Sequence, residues 1–261
     1  MNYEFFNVEN KGDILLVGFK NGKKFNAFNW QFFEELPCLI KDIEKDEETK
    51  VCIFHSGDGK NFSSGLDIEG FFKRFYKIIL EKNESEFYKI VKQMQYGINK
   101  IARSSKIFIS AVRGYCVGAG LDFIAACDLR FCSKDAIFSL RETRLGILAD
   151  LGSLQRLPFI VGFDNAKYMA LTGGDFRADY ALRVNLVNEI FDNPDELLEK
   201  TAEVAKVISN SQLNILSECK NTINDFVEDK ILESMDKSAR FNTKYADFMK
   251  IAENFKKSLG G

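Results

Sequence analysis

The sequence predicts an α/β fold with mostly parallel strands, and two observations support this prediction. Short apolar runs bounded by turn-forming residues occur at residues 14–19, 51–54 and 107–112, as expected of buried strands. Segments with helical periodicity separate these runs, and the first of them covers residues 29–44. Strands that alternate with helices are typical of parallel sheets, because parallel neighbours need a crossover connection between them.

Residues 29–44 have apolar side chains at helical spacing, and these fall on one side of the predicted helix. Pro37 lies within the pattern. A proline in a helix interior removes a backbone donor and clashes with the preceding turn. We therefore expect either a kink at Pro37 or a helix that starts later than the pattern implies.

Later segments continue the alternation of elements. Residues 71–102 have helical periodicity, with a charged loop near residues 81–86. Further short strands are predicted at residues 129–132, 136–138 and 186–191, and further helices at residues 165–171, 178–182 and 196–210. From residue 211 onward the pattern is almost entirely helical.

These patterns predict a core at residues 1–195 and a helical C-terminal region at residues 196–261. The helical region contains no predicted strand on which its helices could pack. It is either a second layer on the core or an oligomerisation element.

Composition narrows the class of protein. The chain has 261 residues, of which 46% are hydrophobic and 28% are charged, as in ordinary globular proteins. Its formal net charge of −2 argues against nucleic acid as a partner, since nucleic acid favours a basic surface. No apolar run is long enough for a membrane span, and no targeting segment is recognisable. We expect a cytoplasmic protein.

The histidine and cysteine content argues against two kinds of site. His55 is the only histidine, which weakens both a Ser-His-Asp triad and a histidine-rich metal site. The six cysteines form no Cys-x-x-Cys pair and read as reduced thiols. We therefore expect no metal.

Two glycine-containing loops are candidates for binding negative charge. Residues 61–68 and residues 113–122 each follow a buried strand, and the second loop enters a helix. Free N–H groups at such turns can stabilise developing negative charge. The alternative is that both are ordinary strand-to-helix turns. Gly118 and Gly120 do not belong to a dinucleotide fingerprint, because Phe123 stands at the third glycine position.

Three carboxylates are candidates for proton transfer. Asp122 opens the helix after the second loop, Glu142 follows a strand, and Asp150 lies among small and apolar residues. Partial desolvation raises the pKa of a carboxyl group and suits it to proton transfer near neutral pH. The alternatives are structural: Glu142 pairs with Arg141 or Arg144, and Asp150 caps the next helix.

Several segments resemble, in order and at similar spacing, motifs of the enoyl-CoA hydratase/isomerase (crotonase) superfamily. Residues 61–68 resemble its Phe-x-x-Gly-x-Asp-Leu motif, and residues 113–120 its Asn-Gly-x-x-x-Gly-Gly-Gly motif. Residues 23–27, 127–130 and 152–158 resemble its Asn-Ala, Cys-Asp-hydrophobic-Arg and Gly-Thr-x-Gln-Arg-Leu-Pro segments.

The resemblance implies a spiral of repeated ββα turns with a helical C-terminal region that packs in trimers, or in dimers of trimers. It implies a coenzyme A thioester as substrate and no separate cofactor, since coenzyme A is part of the substrate. It also implies an oxyanion hole made by the backbone N–H groups of Leu66 and Ala119. The substrate-binding and CoA-binding positions that it implies are Lys23, Phe25, Ser64, Gly65, Leu66, Asp67, Ile68 and Ala119.

The resemblance further implies a Δ3,5-Δ2,4-dienoyl-CoA isomerase of fatty acid β-oxidation. Hydratases carry two glutamates at the places of Asp122 and Glu142 and a glycine at the place of Asp150. A third acid suits a 1,5 proton shift, which needs a base at one end of the diene and an acid at the other. The alternatives are an enoyl-CoA hydratase, another crotonase reaction, or a catalytically weak homologue that binds acyl-CoA or RNA.

Overall fold

The computed structural model describes residues 2–259, except for the side chains of Ala252, Ser258 and Leu259. Gly260 and Gly261 of the predicted helical region lie outside the described residues. The strands are β1 (Phe6–Asn10), β2 (Ile14–Phe19), β3 (Val51–His55), β4 (Ile107–Val112), β5 (Tyr115–Val117), β6 (Leu129–Ser133), β7 (Ile137–Ser139), β8 (Asp175–Arg177) and β9 (Glu189–Phe191).

The helices follow the same chain order. They are α1 (Trp30–Lys45), α2 (Ile68–Leu80), α3 (Glu84–Arg103), α4 (Ala119–Ala125), α5 (Glu142–Leu145), α6 (Ser153–Val161), α7 (Phe163–Thr172), α8 (Ala178–Arg183), α9 (Pro194–Ser209), α10 (Leu213–Asn224), α11 (Glu228–Tyr245) and α12 (Phe248–Leu259). A 3₁₀ turn covers Gly22–Lys24.

Two sheets organise the α/β core. The larger has the order β1-β2-β3-β4-β6-β9, in which only the β1–β2 pair is antiparallel. The smaller has the order β5-β7-β8, with β5 and β7 parallel. The chain alternates between the sheets: β4 and β6 join the larger sheet, and β5 and β7, which follow them, join the smaller one. This alternation brings the turn after β5 and the turn after β7 to the same edge.

The observed bounds of the predicted strands agree closely with the sequence pattern, except for one strand. The strand predicted at residues 186–191 begins only at Glu189. The N–H groups of Leu186 and Val187 both donate to the carbonyl of Ala181 at the end of α8, so these residues close that helix instead of pairing in the sheet. The sequence pattern also missed β1, β5 and β8, which have five, three and three residues.

Pro37 lies inside helix α1. The helix begins at Trp30, where Asn29 Oδ1 accepts a hydrogen bond from Phe32 N at 3.0 Å, so the later start is wrong. Gly97 of α3 lies opposite Pro37: a Cβ there would come within 3.3 Å of the proline Cδ. The missing side chain at Gly97 therefore lets α3 pack closely on α1.

The helices after β9 have different surroundings. Leu197 and Ala205 of α9 are buried in one core with side chains of β3 and β4. Helix α11 packs on α3, and α12 packs on α5. The division near residue 195 into a core and a helical region stays a prediction.

Candidate active site

The two glycine loops pair with each other. Ser63 N donates to Tyr115 O at 2.9 Å, and Val117 N donates to Ser63 O at 3.0 Å. Gly65 has a φ of +94°, and a Cβ on it would lie 2.9 Å from Val117 O and 3.7 Å from Ala119 N. A side chain at this position would be strained and would clash with the second loop. Glycine therefore lets the two loops approach closely.

Leu66 and Ala119 both have backbone N–H groups without an acceptor among the described residues. Ala119 is the first residue of α4, so its N–H has no intrahelical acceptor. Across residues 2–259, neither its N–H nor that of Leu66 donates to a protein acceptor. Ala119 is only 4% exposed, so its donor lies in a largely desolvated position. Two fixed donors in such surroundings suit the stabilisation of an oxyanion.

The 3₁₀ turn and the segment after it lie against the first glycine loop. Ser64 N donates to Phe25 O at 3.0 Å, and Phe28 N donates to Gly65 O at 2.7 Å. The Phe25 side chain is exposed, and its φ of 54° is in the left-handed region. Lys23 is also exposed on this turn. The structure thus brings the predicted CoA-binding residues of the two segments together.

Asp67 and Ile68 connect this loop to α2. Asp67 Oδ1 accepts a hydrogen bond from Gly70 N at 3.0 Å and caps the helix, and Lys24 Nζ lies 3.4 Å from Asp67 Oδ2. Ile68 lines a cavity of about 820 Å³. The other walls come from α2, the start of α3, the end of α11 and α12. None of the three candidate carboxylates lines this cavity.

Asp122 is fully buried, and its Oδ1 accepts a hydrogen bond from Ser153 N at 2.6 Å. Asp122 therefore caps α6. The sequence pattern indicated Asp150 as the cap of this helix, as an alternative to a role in proton transfer. Burial raises the pKa of Asp122 to about 6, while the Ser153 hydrogen bonds and the charge of Arg156 oppose this rise. Of the three carboxyl groups, it keeps the lowest pKa.

Glu142 is the first residue of α5, and its carboxyl group faces the second glycine loop. A Cβ on Gly118 would lie 2.8 Å from Glu142 Oε1. Its Oε2 is buried with no hydrogen-bond partner among the described residues. Arg141 pairs with Asp175 at 2.9 Å, and no ion pair in residues 2–259 joins Glu142 to Arg141 or Arg144. The structural alternative for Glu142 is therefore wrong.

Burial and neighbouring charge act together on Glu142. Burial raises its pKa most, and the negative charges of Asp122 and Asp150 raise it further, to about 8. Among the described residues, no hydrogen bond from another side chain opposes the rise. The pKa of Glu142 therefore lies near neutral pH, where a carboxyl group can both take up and release a proton.

Asp150 differs from Glu142 in having a side-chain partner. Its Oδ2 accepts a hydrogen bond from Asn242 Nδ2 at 2.8 Å, and its backbone carbonyl accepts one from Gln95 Nε2 at 2.6 Å. Burial raises the pKa of Asp150 to about 7, the Asn242 hydrogen bond lowers it, and the charge of Asp122 raises it. The N-cap residue of helix α6 is Gly152, and the side chain that accepts a hydrogen bond from its first turn is that of Asp122, so Asp150 does not cap it.

Within the described part of the chain, no three His, Cys, Asp or Glu side chains are arranged to hold a metal ion. No helix among residues 2–259 is long and apolar enough to cross a membrane.

Comparison with known proteins places this site in a family. The family model described as enoyl-CoA hydratase/isomerase matches residues 9–258. The chain belongs to the enoyl-CoA hydratase/isomerase family. Leu66, Ala119 and the three carboxyl groups described above all lie within the matched range.

Two relatives of the chain within the family carry the same enzyme name. A protein of Dictyostelium discoideum named "Delta(3,5)-Delta(2,4)-dienoyl-CoA isomerase, mitochondrial" is 34% identical over 94% of this chain and 85% of its own length. A protein of Arabidopsis thaliana with the same enzyme name, "peroxisomal", is 37% identical over 70% of this chain and 67% of its own length.

The solved structures support the fold. The crystal structure of an enoyl-CoA hydratase from Bacillus halodurans matches with a TM-score of 0.85, at 22% identity, over 97% of this chain and 100% of that one. The α/β crotonase fold implied by the sequence is thereby confirmed.

Asn242 and Gln95 belong to the site but were not predicted from the sequence. Asn242 lies 92 residues after Asp150 in the chain. The one signal was an amide on a mostly apolar helix face, where Ile231, Met235 and Ala239 are also buried. A buried amide needs hydrogen-bond partners, but the sequence does not say which.

Proposed function

We propose that this protein is a Δ3,5-Δ2,4-dienoyl-CoA isomerase of fatty acid β-oxidation. The observation that carries the proposal is the third buried carboxyl group, Asp150, whose charge acts on the same site as those of Asp122 and Glu142. The enzyme names of the two relatives support it. A shift of two double bonds removes a proton from C2 and adds one at C6, so it needs two proton-transfer groups set apart along the acyl chain.

The proposed reaction begins at the thioester. The N–H groups of Leu66 and Ala119 bind the thioester oxygen as it gains negative charge. Glu142 takes the proton from C2, because its Oε1 lies against Gly118, next to the Ala119 donor. The electron pair of the C2–H bond moves through the diene, and C6 takes a proton from Asp150. Asp122 orients the site through its bond to Ser153 and transfers no proton.

The proton balance adds one further step. Each turnover leaves Glu142 protonated and Asp150 ionised, so a proton must return from Glu142 to Asp150 before the next one. No electrons enter or leave. We therefore propose that the reaction needs no cofactor beyond the coenzyme A of its substrate, and that activity survives dialysis against a chelator.

The proposed substrate fits the surface next to the site. The cavity of about 820 Å³ begins at Ile68, two residues after Leu66, and its walls include Phe72, Phe87 and Phe248. This apolar lining suits the distal part of an acyl chain. Phe25 and Lys23, exposed on the 3₁₀ turn, are proposed to contact the coenzyme A portion, and Ser64 and Asp67 to hold that turn in place.

We propose a trimer or a dimer of trimers. Helices α10 and α11 and the turn between them expose apolar side chains that need a partner surface. These side chains are Ile215, Ile223, Phe226 and Phe241. Light scattering at micromolar concentration is expected to give a trimer or hexamer mass, and a monomer would contradict the proposal.

We also propose a cytoplasmic location. Cys52, Cys116, Cys127 and Cys132 are buried, and burial raises the pKa of each thiol, which keeps them unreactive in a reducing compartment. Cell fractionation tests this location, and recovery in an organelle fraction would contradict it.

The experiment that tests the proposed function offers a 3,5-dienoyl-CoA and a 2-enoyl-CoA side by side and follows the absorbance of the conjugated product. We expect conversion of the diene. Hydration of the enoyl-CoA with an unchanged diene would favour a hydratase, for which Asp122 and Glu142 occupy the two expected acid positions. Binding of acyl-CoA or RNA without turnover of either thioester would favour a non-enzymatic homologue.

A further inference from the structure

Asn242 is a buried amide on a helix far from the glycine loops in sequence. It is 5% exposed, on the face of α11 that also buries Met235 and Ala239. Burying an amide without partners costs free energy, so an asparagine on such a face needs hydrogen bonds. All of its side-chain hydrogen bonds within the described residues go to the segment that carries Asp150.

The carboxamide of Asn242 makes three hydrogen bonds to this segment. Oδ1 accepts from Leu148 N at 3.0 Å, and Nδ2 donates to Leu148 O at 2.7 Å. The same Nδ2 donates to Asp150 Oδ2 at 2.8 Å. The first two bonds fix the backbone two residues before Asp150. The third fixes the carboxyl group itself.

We infer that Asn242 is a positioning residue for proton transfer: it holds Asp150 Oδ2 and leaves Oδ1 as the oxygen that carries the proton to and from the acyl chain. The inference rests on the proposed function. Among the described residues, no other residue donates a hydrogen bond to Asp150 Oδ1. An amide donor on Oδ2 favours placing the acidic proton on the other oxygen.

The electrostatic surroundings of Asp150 support this role. The charged groups that face it are Asp122 from α4 and Glu142 from α5, and both are acidic. Helices α3 and α11 donate to Asp150 through the neutral amides of Gln95 and Asn242. The Asn242 hydrogen bond is therefore the side-chain contact that favours the ionised form of Asp150, and losing it raises the pKa of Asp150.

Gln95 provides a matched control within the same packing. Its Nε2 donates to Asp150 O at 2.6 Å and to Met235 O at 3.0 Å, so it also ties the segment to α11. It makes no hydrogen bond to the Asp150 carboxyl group. A purely structural role for Asn242 predicts that losing either amide has the same consequences.

The experiment compares Asn242→Leu, Asn242→Asp and Gln95→Leu with the wild type in the oligomeric form in which each is purified. Steady-state kinetics on a 3,5-dienoyl-CoA give kcat, KM and their pH profiles. Infrared titration of protein labelled with ¹³C in the aspartate carboxyl groups follows Asp150 directly, and the Asp150→Asn variant identifies its band.

We expect Asn242→Leu to lower kcat by about 100-fold, with KM changed less than about threefold, because misplacing a reacting group costs rate more than binding. The Asp150 infrared midpoint and the pH profile both move to higher pH. Asn242→Asp preserves the shape of the side chain, so it tests the same shift if the leucine variant does not fold. In Gln95→Leu, melting temperature and rate fall, but the Asp150 midpoint stays in place.

Two results would overturn the inference: an unchanged Asp150 midpoint in both Asn242 variants, or an equal shift in Gln95→Leu. The infrared titration needs no turnover. If wild-type protein fails to isomerise the diene, the proposed function falls, and the midpoints still decide whether Asn242 controls Asp150.

Discussion

Glu142 and Asp150 are two buried carboxyl groups eight residues apart in sequence, and they differ in what holds them. Glu142 Oε2 has no partner among the described residues, whereas Asp150 Oδ2 accepts a hydrogen bond from Asn242. Burial raises the pKa of both groups, to about 8 and about 7. The comparison shows that burial raises the pKa of both carboxyl groups toward neutral pH, which suits them to proton transfer, while an amide hydrogen bond opposes that rise at Asp150.

The largest effect is expected when either carboxyl group is neutralised. Glu142→Gln and Asp150→Asn should each lower kcat by about 10²–10⁴-fold, because each removes one of the two proton-transfer groups. Binding of a CoA product should change little. The measurement is kcat on a 3,5-dienoyl-CoA. Glu228→Gln is a matched control: Glu228 Oε1 is also buried without a hydrogen-bond partner among the described residues, but at the start of α11, so kcat should stay within about twofold.

Deuterated water separates the two roles. If Glu142 serves C2, Asp150→Asn should still exchange the C2 hydrogen of the substrate without completing isomerisation, and Glu142→Gln should not. The opposite pattern would exchange the roles of the two residues. Full isomerase activity in Asp150→Asn would contradict the proposed mechanism.

A smaller but substantial effect is expected at the glycine that faces Glu142. In Gly118→Ala, the new Cβ would lie 2.8 Å from Glu142 Oε1 at a φ of +52°, so both the carboxyl group and the oxyanion donor should shift. We expect kcat to fall by about 10- to 100-fold. Gly12→Ala is the control, because Gly12 has a φ of +78° and nothing within 4 Å of its added Cβ. Equal losses in the two variants would mean that backbone strain, and not contact with Glu142, is the cause.

The sequence predicted the parts of the site that are local in the chain. The glycine loops and the residues Leu66 and Ala119 could be placed because strand, turn and helix start follow one another within a few residues. Strands β2 and β4 were predicted with their observed bounds, because buried strands are continuous apolar runs.

The sequence did not predict which polar side chains pair when they lie far apart in the chain. Arg141 was considered as a partner for Glu142, its neighbour, but it pairs with Asp175, 34 residues away. Ser153 N is capped by Asp122 from another helix, whereas the prediction looked to the nearby Asp150. Periodicity indicates which face of a helix is buried. It does not indicate which polar group lies opposite, so Asn242 and its contact with Asp150 were found only in the structure.

Substitution of Asp122 should lower kcat less than substitution of Glu142 or Asp150. The side-chain oxygen of Asp122→Asn can still accept the Ser153 hydrogen bond, so the start of α6 should persist. The lost negative charge had raised the pKa of both Glu142 and Asp150. We therefore expect kcat to fall less than in the other two variants and the pH profile to move to lower pH. A loss as large as that of Glu142→Gln would mean that Asp122 transfers a proton.

The smallest effect concerns stability. Because the pKa of Glu142 is raised in the folded state, the folded protein holds this proton more tightly than the unfolded chain does. The resulting stability is present below the ordinary glutamate pKa, about 4.3, and is lost as pH rises through about 8. Glutamine does not titrate. The melting temperature of Glu142→Gln relative to wild type should therefore increase from pH 5 to pH 8.5, by at least about 2 °C.

The same comparison distinguishes Glu142 from Asp150 without any substrate. The melting temperature of Asp150→Asn relative to wild type should also increase with pH. This increase should level off at a lower pH than for Glu142→Gln, since the pKa of Asp150 is raised only to about 7. A buried glutamine or asparagine also changes the melting temperature through its packing. That change does not depend on pH, so the test uses only the slope of the melting-temperature difference against pH. Melting curves at several pH values measure this slope. A pH-independent difference for Glu142→Gln would show that the pKa of Glu142 is not raised in the folded protein.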